Sequence, residues 1–221
     1  MVSTPTIIVA DDHPLFRNAL SQAINASLNP VNIETAFDIS SLQSCVEEQP
    51  FTQLILLDLH MPGAHGFSGL IHLSANHPEI PVIVVSAHAS SNIIRRAMDH
   101  GASGYLPKSS SIQEITDAIS QVLAGNLWLP SSYDMNTQAS TPEEMNIADI
   151  LSTLTPQQFR VATNLAQGLL NKQIAYELNV TESTIKAHIT EIFRKLGVHS
   201  RTQAVLTIRK LDVQPPGDDQ L

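Results

Sequence analysis

A chain of 221 residues, of which 43% are hydrophobic and 15% charged, has the composition of a folded protein with two domains rather than of a largely disordered one. Its single cysteine excludes an intrachain disulfide, and its apolar runs are far shorter than the roughly 20 residues of a membrane-spanning helix. Because no secretory signal precedes the first acidic residues, we expect a cytoplasmic protein with no membrane partner.

The net charge of −9 conceals an asymmetry along the chain. Residues 1–150 carry 4 Lys/Arg and 15 Asp/Glu, whereas residues 151–211 carry 8 and 3. Residues 212–221 contain three aspartates, and we expect them to form a flexible acidic tail. A basic block on an acidic chain is typical of a local nucleic-acid surface, although a merely solvated basic face has the same composition.

Short apolar runs alternate with amphipathic stretches through the first 125 residues. The predicted strands are residues 6–10, 31–36, 53–57, 80–86 and 104–106, and the predicted helices are residues 15–28, 40–48, 67–76, 91–100 and 112–124. Five strand-helix units predict an α/β domain, residues 1–125, built on a five-stranded doubly wound parallel sheet.

The rest of the chain follows another pattern. Residues 126–150 lose the periodicity and gather proline, serine and threonine, which predicts a linker. Every later pattern is helical. The first predicted helix begins at Thr155-Pro156 and is closed by Gly168. The later predicted helices are residues 172–178, 182–196 and 201–210. Two short helices across a tight turn predict a second, smaller all-α helix-turn-helix domain, residues 151–211.

Polar side chains follow four of the five predicted strands at the point where each strand ends. They are Asp11 and Asp12, Asp58, Ser86 and Lys108. Because the carboxyl ends of parallel strands face one crevice, we expect three carboxylates, a hydroxyl and an ammonium to converge there. That set suits a magnesium ion and a phosphoryl group.

Roles within this set follow from its chemistry. Asp12 and Asp58 are predicted as direct Mg²⁺ ligands, with Asp11 acting through water. Asp58 is the predicted nucleophile that forms an aspartyl phosphate, while Ser86 and Lys108 bind phosphoryl oxygens. Taken singly, each of these residues is more often a helix cap or a turn residue. Their joint occurrence at four strand ends favours the phosphoacceptor interpretation.

These residues resemble the receiver domain of two-component response regulators, which has an acidic pair like Asp11-Asp12, an acceptor like Asp58 in Leu-Asp-Leu-His-Met-Pro-Gly, and a later Ser-Ala and Lys. The resemblance implies a flavodoxin-like fold, phosphorylation by a sensor histidine kinase, and a metal ligand from the backbone carbonyl of His60. It also implies a switch in which Ser86 moves toward the phosphoryl group and Tyr105 swings inward.

Two histidines lie two residues after functional positions, His60 after Asp58 and His88 after Ser86. In the family, these positions flank the phosphoryl group and modulate its hydrolysis. The alternative is that both are exposed loop histidines without a role.

The basic block resembles the LuxR-type helix-turn-helix of the NarL/FixJ response regulators. The matching segments are Leu154-Thr-Pro156, Asn171-Lys-Gln-Ile-Ala175, Thr184-Ile-Lys-Ala-His188 and Lys195-Leu-Gly-Val198. By this resemblance, residues 182–196 form the helix that reads double-stranded DNA. The predicted base-reading residues are Lys186, Ala187 and Thr190, and the predicted phosphate contacts are Thr184, His188 and Lys195. The predicted residues of a homodimer interface, formed on activation, are Val198, Arg201, Ala204 and Val205.

One departure from the family is informative. Gln158 stands where relatives carry a glutamate that forms a structural ion pair or cap, so we expect a neutral hydrogen bond at this position.

The overall prediction is a transcriptional response regulator rather than an enzyme. An aspartyl-phosphate phosphatase of the dehalogenase type would need a second aspartate two residues after the nucleophile, where this chain has His60. A ligand-sensing LuxR regulator should be richer in tryptophan and tyrosine in its sensing domain, and a phosphorylation-independent DNA-binding protein would not need the acidic pocket.

Overall fold

Five parallel strands form one sheet in the computed structural model, which describes residues 4–28 and 30–213. The strands are β1 (Thr6–Ala10), β2 (Asn32–Ala36), β3 (Thr52–Leu57), β4 (Val82–Ser86) and β5 (Gly104–Pro107). Their order across the sheet is β2-β1-β3-β4-β5. The winding therefore reverses between β1 and β3, and the crevice at their carboxyl ends is the point where such sheets bind ligands.

Five helices cover both faces of this sheet, as the alternating pattern predicts. They are α1 (Pro14–Ser27), α2 (Ile39–Glu48), α3 (Ser68–Asn76), α4 (Ser91–Asp99) and α5 (Ile112–Leu123). One apolar cluster joins the sheet to α1 and α5, and a second joins it to α2, α3 and α4. The α/β fold with a parallel five-stranded sheet is thus confirmed.

Every regular element between residues 142 and 213 is a helix, which confirms the prediction of an all-α helix-turn-helix domain. Its helices are α6 (Pro142–Ser152), α7 (Pro156–Ala166), α8 (Asn171–Glu177), α9 (Glu182–Leu196) and α10 (Arg201–Arg209). The turn between α8 and α9 is tight because Asn179 adopts a positive φ of 51°. Gly197 ends α9 in the left-handed conformation, where glycine carries no steric penalty.

Within the predicted linker, residues 126–150, the structure has two ordered features that the sequence analysis did not anticipate. Trp128 runs beside β5, since its amide donates to the Ser103 carbonyl at 3.1 Å and its carbonyl accepts from Tyr105 at 3.0 Å. Helix α6 then occupies the second half of the segment. Thr141 caps it by accepting from the Glu144 amide, and Pro142 stands in its first turn. The sequence Thr-Pro-Glu-Glu was therefore a helix-start signal.

Packing between the two parts is apolar and continuous. The cluster on the α3 face of the sheet extends without interruption into α6 and α7 of the helical domain. Within the described residues, no helix is long and apolar enough to cross a membrane. Residues 214–221, which hold most of the predicted acidic tail, lie outside the described part of the chain.

Candidate phosphoacceptor site and DNA-reading helix

The sheet register brings the predicted carboxylates together. Ala10 of β1 pairs with Leu57 of β3, so the residues that follow them, Asp11 and Asp58, lie side by side. Candidate ligand atoms of Asp11, Asp12, His13 and Asp58 all lie within 4.8 Å of one another. The structure therefore places all three predicted carboxylates in one group.

This group fits a hard cation. Asp11 Oδ2 and Asp12 Oδ1 are buried atoms with no well-directed hydrogen bond from a described residue. Lys108 Nζ lies 2.7 Å from Asp11 Oδ2 and His13 Nδ1 lies 2.6 Å from Asp12 Oδ1, but neither nitrogen is well aligned for a hydrogen bond to that oxygen. Carboxylate oxygens in this state are suitable ligands for Mg²⁺, which binds through one or two carboxylates and retains several waters.

Lys108 contacts the carboxylates that follow two different strands, Asp11 after β1 and Asp58 after β3. Its Nζ lies 2.7 Å from Asp11 Oδ2 and 2.8 Å from Asp58 Oδ2, and its amide donates to the Ser86 carbonyl at 2.8 Å. Burial works against the charged form of each group. Hydrogen bonding nevertheless raises the pKa of Lys108 and, with the help of His60, lowers the pKa of Asp58. Both effects favour an ionised Asp58 carboxylate, which is the form in which a carboxylate can act as a nucleophile.

His13 is a member of the site that the sequence analysis missed. Its amide donates to Asp11 Oδ1 at 2.7 Å, and its exposed ring lies 2.6 Å from Asp12 Oδ1. The only sequence signal was its place directly after the acidic pair, which by itself does not distinguish a site residue from a loop residue.

Ser86 and Tyr105 meet at the neighbouring strand ends. The Ser86 hydroxyl accepts from the His88 amide at 3.2 Å, and the Tyr105 hydroxyl donates to the His88 carbonyl. Tyr105 is fully buried, and burial raises its pKa to about 12 although a hydrogen bond with Ser86 acts in the other direction. The tyrosine thus already occupies the inward position that the resemblance associates with phosphorylation.

His60 and His88 flank the carboxylate group from the two loops that follow β3 and β4. Their ring centroids are 5.0 Å apart. His60 reaches Asp58 Oδ1 through its amide at 3.2 Å, and its Nδ1 lies 3.8 Å from the same oxygen. The predicted metal ligand, the His60 carbonyl, is not among the recorded contacts of the site and stays a prediction.

The predicted DNA-reading residues lie on α9. Lys186, Ala187 and Thr190 are exposed on it, while Thr184 and His188 are partly buried. Lys186 Nζ lies 3.0 Å from Glu182 Oε1, one turn earlier on the same face. The three predicted base-reading side chains are thus accessible together.

Lys195 has a structural role in addition to its predicted phosphate contact. Its Nζ donates to the Thr153 carbonyl at 2.7 Å and to Gln158 Oε1 at 2.9 Å. Gln158 Oε1 also accepts from the Thr155 amide at 3.2 Å, which is the neutral hydrogen bond expected at this position, whereas the bond from Lys195 is charge-assisted. This lysine joins the start of α7 to the end of α9.

The predicted interface residues around α10 differ in accessibility. Val198 and Val205 are partly buried, and the Arg201 guanidinium donates to the carbonyls of Leu165 and Leu169. Ala204 is fully buried in the core of its own domain, so a partner cannot touch it in this conformation. The apolar side chain that α10 does present is Leu206, which is 59% exposed and which the sequence analysis missed.

Both domains of this chain match families of known proteins. Residues 7–120 match the family "Response regulator receiver domain", and residues 152–208 match "Bacterial regulatory proteins, luxR family". The glycerol metabolism activator of Pseudomonas putida is 42% identical over 93% of this chain and 96% of its own length. The nitrate/nitrite response regulator NarL of Escherichia coli K12 is 31% identical over 93% of this chain and 95% of its own.

A solved structure of RcsB from Salmonella enterica serovar Typhimurium, bound to a promoter, superposes with a TM-score of 0.56 at 21% identity, covering 95% of this chain and all of that one. That likeness shows the fold. With matched families on both domains and a 42% identical relative over nearly the whole length, the chain belongs to the two-component response regulators that join a receiver domain to a LuxR-family helix-turn-helix DNA-binding domain.

Proposed function

We propose that phosphorylation of Asp58 by a sensor histidine kinase controls how this regulator binds promoters. The observation that carries the proposal is the double contact of Lys108, which holds Asp11 and Asp58 within 2.8 Å of one ammonium. An ionised, buried carboxylate beside a fixed cation is poised to attack phosphorus and to have its product neutralised.

The phosphoryl transfer balances as a simple displacement. A carboxylate oxygen of Asp58 forms a bond to phosphorus as the bond from phosphorus to the kinase histidine nitrogen breaks, and that nitrogen keeps the electron pair. Asp12, Asp58 and the His60 carbonyl would hold Mg²⁺ directly and Asp11 would hold it through water, and the bound ion would supply neutralisation of phosphoryl charge. Lys108 and Ser86 then bind phosphoryl oxygens, and slow hydrolysis, modulated by His60 and His88, returns Asp58 to a free carboxylate. Turnover of phosphate esters is not part of this function.

In this proposal, residues 1–125 receive the phosphoryl group and residues 151–211 bind DNA. In the proposal, phosphorylation favours a homodimer that reads paired half-sites in double-stranded DNA in the cytoplasm. Lys186, Ala187 and Thr190 meet bases, and Thr184, His188 and Lys195 meet phosphates. Val198, Arg201 and Val205 contribute to the dimer surface together with Leu206, whereas Ala204 supports that surface from within.

The decisive experiment compares the wild type with Asp58→Asn. With a small phosphodonor such as acetyl phosphate and Mg²⁺, the wild type should acquire one hydroxylamine-sensitive phosphate and gain promoter affinity and mass in light scattering. The asparagine variant should do neither, and Asp149→Asn, a change on α6 far along the chain, should behave as the wild type. Phosphate uptake retained by Asp58→Asn would move the acceptor elsewhere.

A further inference from the structure

The first turn of α1 forms one wall of the phosphoacceptor site. The phenyl ring of Phe16 lies there with its face toward Lys108, whose Nζ is 4.9 Å from the ring centroid. This distance is within the range of about 6 Å over which the electron-rich face of an aromatic ring attracts an ammonium. An aromatic face thus joins the carboxylates of Asp11 and Asp58 around this ammonium.

Packing holds the Phe16 ring in place. The side chain is partly buried and lies against the apolar cluster that joins the sheet to α1 and α5. The guanidinium of the next residue, Arg17, donates to the Asp11 carbonyl at 2.5 Å, which ties the start of α1 to the strand end that carries the acidic pair. The preceding residue, Leu15, is 86% exposed. The helix therefore turns Phe16, and not Leu15, toward the site.

The directed hydrogen bond of the Lys108 ammonium ends on the group that reacts. It goes to Asp58 Oδ2 at 2.8 Å, whereas Asp11 Oδ2, at 2.7 Å, is poorly aligned. Phosphorylation turns the Asp58 carboxylate into an acyl phosphate, so this hydrogen bond must change as the reaction proceeds. A lysine side chain is flexible, and each rotamer that it can adopt moves its charge. The Phe16 face is a neighbour of the ammonium that the reaction leaves unaltered.

An aromatic face suits this position better than a polar group would. An ammonium has three N–H donors, and the ring attracts the positive charge as a whole, without needing a directed hydrogen bond. The donors therefore remain available for Asp11, Asp58 and a phosphoryl oxygen. A further carboxylate at position 16 would repel the phosphoryl group as well as attract the lysine.

We propose that Phe16 is a positioning residue for phosphoryl transfer, whose ring holds the Lys108 ammonium beside Asp58 at the place where phosphoryl oxygens arrive. This inference rests on the proposed function and adds to it a residue that acts through Lys108. Electrostatic stabilisation of a transition state is most effective when the charge is already in place before the reaction. A lysine without the ring would have to be ordered during each transfer, which slows the reaction.

Fluorination of the Phe16 ring tests the proposal with little change in packing. Each fluorine withdraws electrons from the ring face and weakens its attraction for a cation, while the ring stays apolar and of similar size. We expect 4-fluoro-, 3,5-difluoro- and 3,4,5-trifluorophenylalanine at position 16 to slow phosphate uptake from acetyl phosphate with Mg²⁺ progressively. The trifluoro ring should slow it about fivefold. Affinity for beryllofluoride, a phosphoryl mimic that Lys108 can also contact, should fall in the same order.

Natural substitutions give a second, independent test. Phe16→Leu keeps an apolar side chain without a ring face and should also take up phosphate about fivefold more slowly. Phe16→Tyr keeps the ring face and should restore the wild-type rate. Phe51, which is 84% exposed just before β3, is the matched control. Phe51→Leu and trifluorophenylalanine at position 51 should both behave as the wild type.

A role of Phe16 in packing alone predicts another pattern. The fluorinated rings would then leave both the uptake rate and the affinity for the mimic at the wild-type values. That result overturns the positioning role, as does a Phe16→Tyr variant that is as slow as Phe16→Leu, or an equal loss from the changes at Phe51. In each of these cases the wild type still takes up phosphate. Failure of the wild type itself to take up phosphate and to bind the mimic overturns the phosphoacceptor function instead.

Discussion

The imidazole of His72 stacks on the phenyl ring of Phe159, with ring centroids 4.1 Å apart and an interplanar angle of 5°. His72 belongs to α3 of the receiver domain and Phe159 to α7 of the DNA-binding domain, and both are buried. The Asn76 amide nitrogen lies 3.2 Å from His72 Nδ1, which can accept from it only when that nitrogen is unprotonated. The hydrogen bond from Asn76, which helps to orient the ring, therefore requires a neutral His72.

Acidification should weaken this contact. Burial, assisted by the charge of His77, lowers the pKa of His72 to about 4. An unfolded histidine takes up its proton near pH 6.5, so the unfolded state binds more protons between about pH 6.5 and pH 4. The contribution of His72 to stability should be constant above that window and fall as the pH is lowered through it, by about 3 kcal/mol in total at 1.36 kcal/mol per unit.

His72→Leu tests the assignment, because leucine keeps an apolar contact with Phe159 and cannot be protonated. Chemical denaturation at pH 7 and pH 4.5 should show a smaller difference in unfolding free energy for this variant than for the wild type. His199→Leu, at an exposed position after α9, should keep the wild-type pH dependence. An unchanged pH dependence in His72→Leu would assign the titration to another group.

Glu144 should contribute more to the free energy of unfolding than Glu143, its neighbour in the first turn of α6. Its Oε1 lies 2.8 Å from Arg96 Nε and 2.7 Å from His100 Nε2, and all three groups are largely buried. Glu144→Gln should cost about 2 kcal/mol of unfolding free energy, as expected for charged hydrogen bonds. The matched control is Glu143→Gln, which removes an exposed pair with Lys210 and should cost at most about 1 kcal/mol. Equal costs in a denaturant titration would contradict a special role for Glu144.

Much of the receiver domain could be predicted from the sequence, because its strands are continuous apolar runs that end in polar residues. The observed bounds of β1, Thr6–Ala10, coincide with the prediction, and β4 is only two residues shorter at its start. Helix α6 was missed for a physical reason. Its exposed face is polar and its first turn carries proline and acidic residues, so composition resembled a linker while the cap at Thr141 marked a helix.

The sequence predicted which residues lie at the site better than it predicted where their side chains point. The spacing of Asp11, Asp58 and Lys108 sufficed because a parallel sheet places all strand ends on one edge. No local pattern indicates that the Lys195 ammonium turns toward Gln158, or that Ala204 faces inward while Leu206 faces outward. These features depend on tertiary packing between α7, α9 and α10, which a local sequence pattern does not specify.

Removal of the Lys108 charge should separate metal binding from phosphorylation. In Lys108→Met, the carboxylates of Asp11 and Asp58 lose their shared ammonium, so Mg²⁺ no longer competes with it for their oxygens. Calorimetry should therefore show Mg²⁺ binding about tenfold tighter, equivalent to about 1.4 kcal/mol. Phosphate uptake should nevertheless be lost, because no ammonium remains to pair with the phosphoryl oxygens. Lys172→Met, at an exposed position on α8, should change neither property; weaker Mg²⁺ binding in Lys108→Met would refute the competition.

The pair Glu182 and Lys186 should restrain DNA binding. Lys186 Nζ lies 3.0 Å from Glu182 Oε1 on the exposed face of α9, so DNA must compete with that carboxylate for the ammonium. Glu182→Gln should tighten promoter binding several-fold and steepen its salt dependence, whereas Lys186→Gln should weaken binding and reduce the slope by about 1. Glu191→Gln is the control for net charge, because it lies about half a turn out of phase on the same helix and pairs with Arg194. Equal tightening by both glutamine variants, measured by fluorescence anisotropy over a range of salt, would assign the effect to overall charge rather than to this pair.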